Sequence, residues 1–208
     1  MARLSEINKM KDSTKDKKDS IKDKKLIYHI TTLDNFEKIL ERGLLPRSHA
    51  SNFMDIADHN ILQKRKKNGL DECVPFHWFA KNPFDGRVQT DYPKKDFVLI
   101  SVYRDTAKKN NWKIIPHHPL ATGELEIMDY TDGFSAIDWE TMDTRDYHNE
   151  HTKSVCMAEC LAPGVVPVSM FAKIFVKTDT VAATVRAMIK EANATTGITV
   201  NPGMFISC

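Results

Sequence analysis

Residues 26–45 read LIYHITTLDNFEKILERGLL. The opening LIYHIT is a short apolar, β-rich run. Thr32 and Asp34 then offer cap oxygens, Phe36, Ile39 and Leu40 recur at helical spacing, and Gly43 supplies a stop. This grammar predicts a strand, a capped helix and a glycine terminus. Working outward, DFVLISVY (96–103) is the clearest buried strand, and MFAKIFVKT (170–178) reads as another. KSVCMAECLAP (153–163) reads as a strand stopped by Pro163 and Gly164, VAATVRAMIKEAN (181–193) as a helix with Val185, Met188 and Ile189 inward, and GITV (197–200) as a last strand. Strands and helices are mixed without a regular βαβ repeat, and no GxGxxG follows a strand. The expectation is an α+β domain rather than a dinucleotide-binding doubly wound sheet.

The stretches between these elements are less definite. LLPRSHASN (44–52) reads as a loop, and MDIADHNILQKRKK (54–67) as a helix or irregular turn with a basic end that contains Arg65. ECVPFHWFAKNPF (72–84) is apolar and aromatic but interrupted by Pro75 and Pro83, which suits a strand running into a pocket-lining loop. Residues 112–133 are turn-rich, and SAIDWETM (135–142) suggests a short helix.

With 208 residues, 41% hydrophobic and 28% charged, the chain can build one packed core but not two full domains. Between Lys9 and Lys25 eight lysines alternate with four aspartates and almost no large apolar residue, so residues 1–25 are expected to be a flexible, lysine-rich arm and 26–208 the folded unit. No window approaches the eighteen apolar residues of a membrane span and the start lacks a signal peptide's apolar stretch, which points to a cytoplasmic protein without membrane contact. In that compartment Cys73, Cys156, Cys160 and Cys208 are expected to stay thiols. A net charge of +2 is too mild to identify a nucleic-acid binder.

Two residues stand out chemically. Glu159 lies within SVCMAECLA, where apolar neighbours demand burial, so its carboxylate is either neutralised by a structural Arg or Lys or displayed into a cleft. His29 sits comparably in the first strand, where a lone histidine is commonly a satisfied core residue. His148, His151, Cys156 and Cys160 form H-x2-H-x4-C-x3-C, a spacing unlike ordinary zinc sites and with its second pair in an expected strand, so no metal is expected.

Taken in order, four segments resemble the DarT family of DNA ADP-ribosyltransferase toxins: LIYHITTLDNFEKILERGLL, ECVPFHWFAKNPF, AIDWETM, and MAECLAP followed by VVPVSMFAKIFV. The resemblance spans roughly residues 26–208. It implies a single ADP-ribosyltransferase-like domain with a mixed, mainly antiparallel sheet and flanking helices. It further implies transfer of ADP-ribose from NAD⁺, as co-substrate and without metal, to a base of single-stranded DNA, and a macrodomain antitoxin of the DarG type as partner. Position by position it makes Glu159 the catalytic glutamate, places His29 and Thr31 at NAD⁺, and matches Arg65 to the family's arginine as a catalytic and NAD-binding residue. Phe76, His77 and Phe84 are then candidates to wall the nicotinamide pocket, and Lys81, Arg87, His117 and His118 to line a DNA groove. This sequence departs from the family at His77, where relatives carry tyrosine, and at Lys81, where an arginine is expected. The same fold acting on RNA or protein, and a non-catalytic nucleic-acid-binding module, are the alternatives.

Overall fold

The computed structural model of the protein describes residues 20–51, 53–55, 59–120 and 125–207. Among these, one sheet carries seven strands: β1 (Leu26–Thr32), β2 (Cys73–His77), β3 (Phe97–Tyr103), β4 (Lys113–Ile115), β5 (Glu159–Pro163), β6 (Lys173–Val176) and β7 (Ile198–Val200). Their order across the sheet is β4-β5-β2-β1-β3-β6-β7. Every pairing is antiparallel except β6 with β7. The expected α+β class and mixed, mainly antiparallel sheet are therefore what the chain builds.

Period-two alternation divides the core between the two faces of the sheet. Ile27, Val98, Ile100, Val102, Ile174 and Val176 point to the larger core, under α1 (Phe36–Arg42) and the later long helix, while Ile30, Phe97, Leu99 and Phe175 point to a smaller one closed by Phe205. α1 ends where expected, at Gly43 with φ of 81°. A Cβ there would meet the Val166 carbonyl oxygen at 2.7 Å, so both backbone angle and close approach require glycine.

Three expectations are corrected. Residues 20–25 are not part of a free arm: Ile21 is buried, its N–H donates to Asp143 Oδ1 at 2.8 Å, and Ser20 Oγ donates to Asp143 Oδ2 at 2.6 Å. One apolar side chain and a bidentate carboxylate outweigh the surrounding lysines. Residues 1–19 of the expected arm lie outside the described residues. Next, the loop expected to run through Pro83 and Phe84 instead ends at α3 (Pro83–Asp91), the helix that follows α2 (His59–Lys67). Pro83 there starts a helix rather than breaking a strand, because Asn82 caps it by accepting from the Asp85 N–H. Finally, after α4 (Arg104–Lys109), α5 (Tyr130–Ala136) and α6 (Trp139–Thr144), residues Glu150–Val155 form α7, and the strand begins only at Glu159. Asn149 caps α7, and Thr152, Val155 and Cys156 are buried at helical spacing, a period too short to stand out beside the apolar residues that follow it. α8 (Asp179–Glu191) is the expected late helix.

Arg104 ties the first strand to the core. Its guanidinium donates to the carbonyls of Lys22, Leu26 and Trp78 at 2.9, 3.1 and 3.0 Å and lies over the rings of Trp78 and Trp139. Arg104→Ala should lower unfolding free energy by ~3–5 kcal/mol, checked by urea denaturation, because it leaves both a cavity and buried carbonyls without a donor.

Candidate active site

The site follows from a split in the sheet. β1 pairs with β3 over its whole length, but meets β2 at a single position, Tyr28 opposite His77. Beyond that position the two strands separate, and the ring of His29 spans the gap, its Nδ1 at 2.9 Å from the Pro75 carbonyl oxygen. The cleft that opens there has a volume of about 210 Å³ and is lined by His29, Thr31, Arg65, His77, His118 and Glu159 among polar groups, with Leu44, Leu70 and Met157 among apolar ones.

Glu159 is the first residue of β5, opposite both His77 of β2 and Ile115 of β4. Its side chain is 7% exposed, and Arg65, reaching in from α2, donates from one terminal nitrogen to both carboxylate oxygens at 2.8 and 2.9 Å. A buried carboxylate thus meets a permanently charged partner, the condition for keeping it ionised out of water. The other terminal nitrogen of Arg65 and Nδ1 of His77 are both buried and have no hydrogen-bond partner among the described residues. Buried polar atoms are rarely left so, which suits a site that takes a polar ligand.

Burial lowers the pKa of His77 to about 4, against the opposing pull of Glu159, so its ring is neutral at physiological pH. It stacks on Phe84 with centroids 5.5 Å apart. Burial also lowers the pKa of His29. His118 is lowered by the same cause, again with Glu159 opposing, which puts it in the field of the ion pair.

Residues 28–206 match the family model of DarT, described as single-stranded DNA thymidine ADP-ribosyltransferase. The chain belongs to the DarT family. It is 28% identical, over 80% of its length, to a DNA ADP-ribosyl transferase-DNA ADP-ribosyl glycohydrolase fusion protein from Thermosipho africanus, of which it spans about half (46%). Among solved structures, DarT from Thermus sp. 2.9 in complex with ADP-ribosylated single-stranded DNA has a TM-score of 0.78 at 17% identity, covering 88% of this chain and 96% of that one. DarTG from Thermosipho africanus in complex with ADP-ribose has a TM-score of 0.69 at 23% identity, covering 88% and 51%. These likenesses establish the shared DarT fold.

Of the residues the DarT resemblance singled out, His29, Thr31, Arg65, His77, Phe84 and Glu159 come together in one cleft. Phe76 does not wall it. Alternation along β2 turns its ring into the core against Trp112, where it backs His29 at 5.8 Å. The four candidate DNA residues do not form one groove. His117 and His118 line a broader groove beside the cleft, with His151, Glu126, Asp138 and Glu150. Lys81 and Arg87 line neither. Lys81 occupies a tight turn (φ 62°) whose N–H donates to Asp85 and whose carbonyl accepts from Tyr147, and Arg87 pairs with Asp91 on the exposed side of α3. Asn35, Phe53, Met54 and Asp55 also line the cleft and were not foreseen, since only tertiary structure brings them there. Among the described residues no group of three or more His, Cys, Asp or Glu is placed to hold a metal, and no helix is long and apolar enough to cross a membrane.

The lowered His77 pKa has a defined sign. Its folded value lies below the unfolded one, so the stability it contributes is full above about pH 6.5 and is lost as pH falls toward about 4. Chemical denaturation of wild type and His77→Phe across pH 4–7 should show a shallower acid-side decline in the variant, and equal slopes would contradict a buried neutral imidazole.

Proposed function

We propose that this protein transfers ADP-ribose from NAD⁺ to the base of thymidine in single-stranded DNA, with Glu159 and Arg65 as catalytic residues. The observation that carries the reading is the ion pair itself. A carboxylate and a guanidinium stand together in a cleft beside buried polar atoms with open valences, in a chain of the DarT family. The open Arg65 nitrogen and the neutral His77 ring fit the reacting, nicotinamide end of the donor. The modest volume suits that end rather than the whole dinucleotide, since sites that enclose a drug-sized ligand measure ~300–1,000 Å³.

Each residue type has a chemical reason to be there. Breaking the bond between nicotinamide and ribose C1″ builds positive charge on the ribose, as in glycoside hydrolysis. Glu159, paired with Arg65, stabilises that charge and accepts a hydrogen bond from a ribose hydroxyl. Nicotinamide leaves as a neutral molecule. Thymidine's one ring N–H is N3, so the new bond is N3–C1″ and the N3 proton passes to Glu159, positioned as general base. His77 and Phe84, already stacked on each other, form a flat wall for the nicotinamide ring. His29, anchored at Pro75, and Thr31 orient the donor from β1. Single-stranded DNA suits the mechanism because N3 is engaged in pairing in a duplex. The groove that joins the cleft at His118 is the path we assign to the strand.

The reading places the enzyme in the cytoplasm, as a toxin opposed by a DarG-type macrodomain antitoxin that removes the modification. Support for that partner comes from the Thermosipho africanus relative, whose name joins a transferase to a glycohydrolase.

Mass spectrometry of thymidine-containing single-stranded oligonucleotides incubated with protein and NAD⁺ tests this. Wild type should add one ADP-ribose to thymidine, and Glu159→Ala should reduce the rate by about 10³-fold or more, the scale of losing a principal electrostatic group. Adducts confined to RNA or protein would redirect the acceptor. Nicotinamide release with no adduct would make the protein an NAD⁺ hydrolase, and neither product would leave a binding module. Arg65→Lys should fall at least tenfold in the same assay, because lysine cannot bridge the carboxylate and also face the donor.

A further inference from the structure

Asn35 stands at the N-cap of α1, where an asparagine ordinarily uses its side chain to accept a helix N–H. Here it caps nothing. Its side chain, 7% exposed as a residue, spends all its bonding on two other places. Nδ2 donates to Thr31 Oγ1 at 3.1 Å and to the Met54 carbonyl at 2.9 Å, while Oδ1 accepts from the Met54 N–H at 2.8 Å. Three hydrogen bonds from one buried amide join Thr31, a strand residue of the cleft, to Met54, a loop residue nineteen positions beyond Asn35, and Thr31, Asn35 and Met54 all line the cleft.

Each bond has a consequence. A hydroxyl has one proton and two lone pairs. Because Thr31 Oγ1 accepts from Asn35, that bond uses one of its lone pairs and not its proton, which leaves the proton to donate to a ligand in the cleft. The paired bonds to Met54 hold the backbone of residues 53–55 at the cleft wall. A second tie keeps that segment in place: Arg47 forms an ion pair with Asp55 and lies over the Phe53 ring with its guanidinium carbon 5.6 Å from the centroid.

We propose that Asn35 is a positioning residue for the donor, fixing both the donating direction of Thr31 and the wall formed by Phe53–Asp55. The proposal rests on the NAD⁺ reading given above. Asn35 touches no reacting atom in this scheme. It acts through Thr31 and the 53–55 backbone, so its removal should weaken donor binding far more than it slows the chemical step.

The test pairs amide hydrogen exchange with NAD⁺ titration calorimetry and kinetics on Asn35→Ala, Thr31→Val and Thr31→Ser. In Asn35→Ala the Met54 amide should exchange faster, the NAD⁺ dissociation constant should rise about tenfold, and turnover at saturating NAD⁺ should change less than about threefold, the scale of one or two neutral hydrogen bonds. Thr31→Ser should bind like the parent, whereas Thr31→Val should weaken binding about as much as Asn35→Ala, within the range of a lost hydroxyl donor. The threonine variants keep the Met54 bonds, so they report even if Asn35→Ala fails to fold. Unchanged NAD⁺ affinity in Asn35→Ala, or in Thr31→Val, would overturn the proposal, as would unchanged Met54 exchange. A parent protein that binds no NAD⁺ would instead overturn the donor assignment itself, while faster Met54 exchange in Asn35→Ala would still establish the tie between Asn35 and the loop.

Discussion

A carboxylate at the start of a buried strand must find a positive partner or lose its charge, and the Arg65–Glu159 contact meets that need. The pair joins two parts of the chain far apart in sequence. Glu159 is fixed by strand pairing on both sides, to His77 and Ile115, so it has little freedom to seek water. Arg65 must therefore come to it, and α2, which also places Leu62 on the cleft, carries it there. The half of the guanidinium that does not face Glu159 is buried with no hydrogen-bond partner among the described residues. An arrangement built only for stability would close that valence. One built to receive a ligand leaves it open.

The second constraint is the splayed sheet. Continuous pairing of β1 and β2 would fill the gap with backbone hydrogen bonds, and no cleft would form. Pairing instead stops at Tyr28 and His77, and the histidine next in line bridges to Pro75, a residue whose own nitrogen has no hydrogen to give. Proline in the middle of β2 thus suits a strand whose edge is partly released from its neighbour. On its other side β2 stays in register with β5 from Cys73 to His77, which keeps Glu159 beside the gap. The continuously paired half of the sheet holds Glu159 and His77, and the cleft opens where β1 and β2 part.

Much of this was readable from the sequence, for physical reasons. β1 and α1 announce themselves by apolar run, helical period and glycine stop, although neither Thr32, expected as a cap, nor Asn35, at the N-cap itself, caps through its side chain. β3 is marked by an apolar run interrupted only at Ser101, and α8 by its inward Val185 and Ile189. Glu159 was conspicuous because apolar neighbours forced its burial. Other features were hidden for equally specific reasons. α7 runs directly into the apolar residues that precede β5, so its short helical burial period was read as the start of the strand. Pro83 marks a helix start only when Asn82 is recognised as its cap. Phe76 was a candidate for the cleft wall beside His77 in the same aromatic segment, but alternation along a strand places neighbours on opposite faces. The role of Asn35 depends on Met54 returning to it, a long-range contact that no local pattern encodes.

The most direct measurement replaces both members of the ion pair with apolar side chains of similar length, in Arg65→Met/Glu159→Met, and compares melting temperature and thymidine modification with the parent. Removing both charges together avoids stranding one, and such exchanges of buried pairs are often neutral or stabilising. A pair kept for catalysis predicts an equal or higher melting temperature with modification lost. A lower melting temperature with modification retained would show the pair to be structural and would contradict the account.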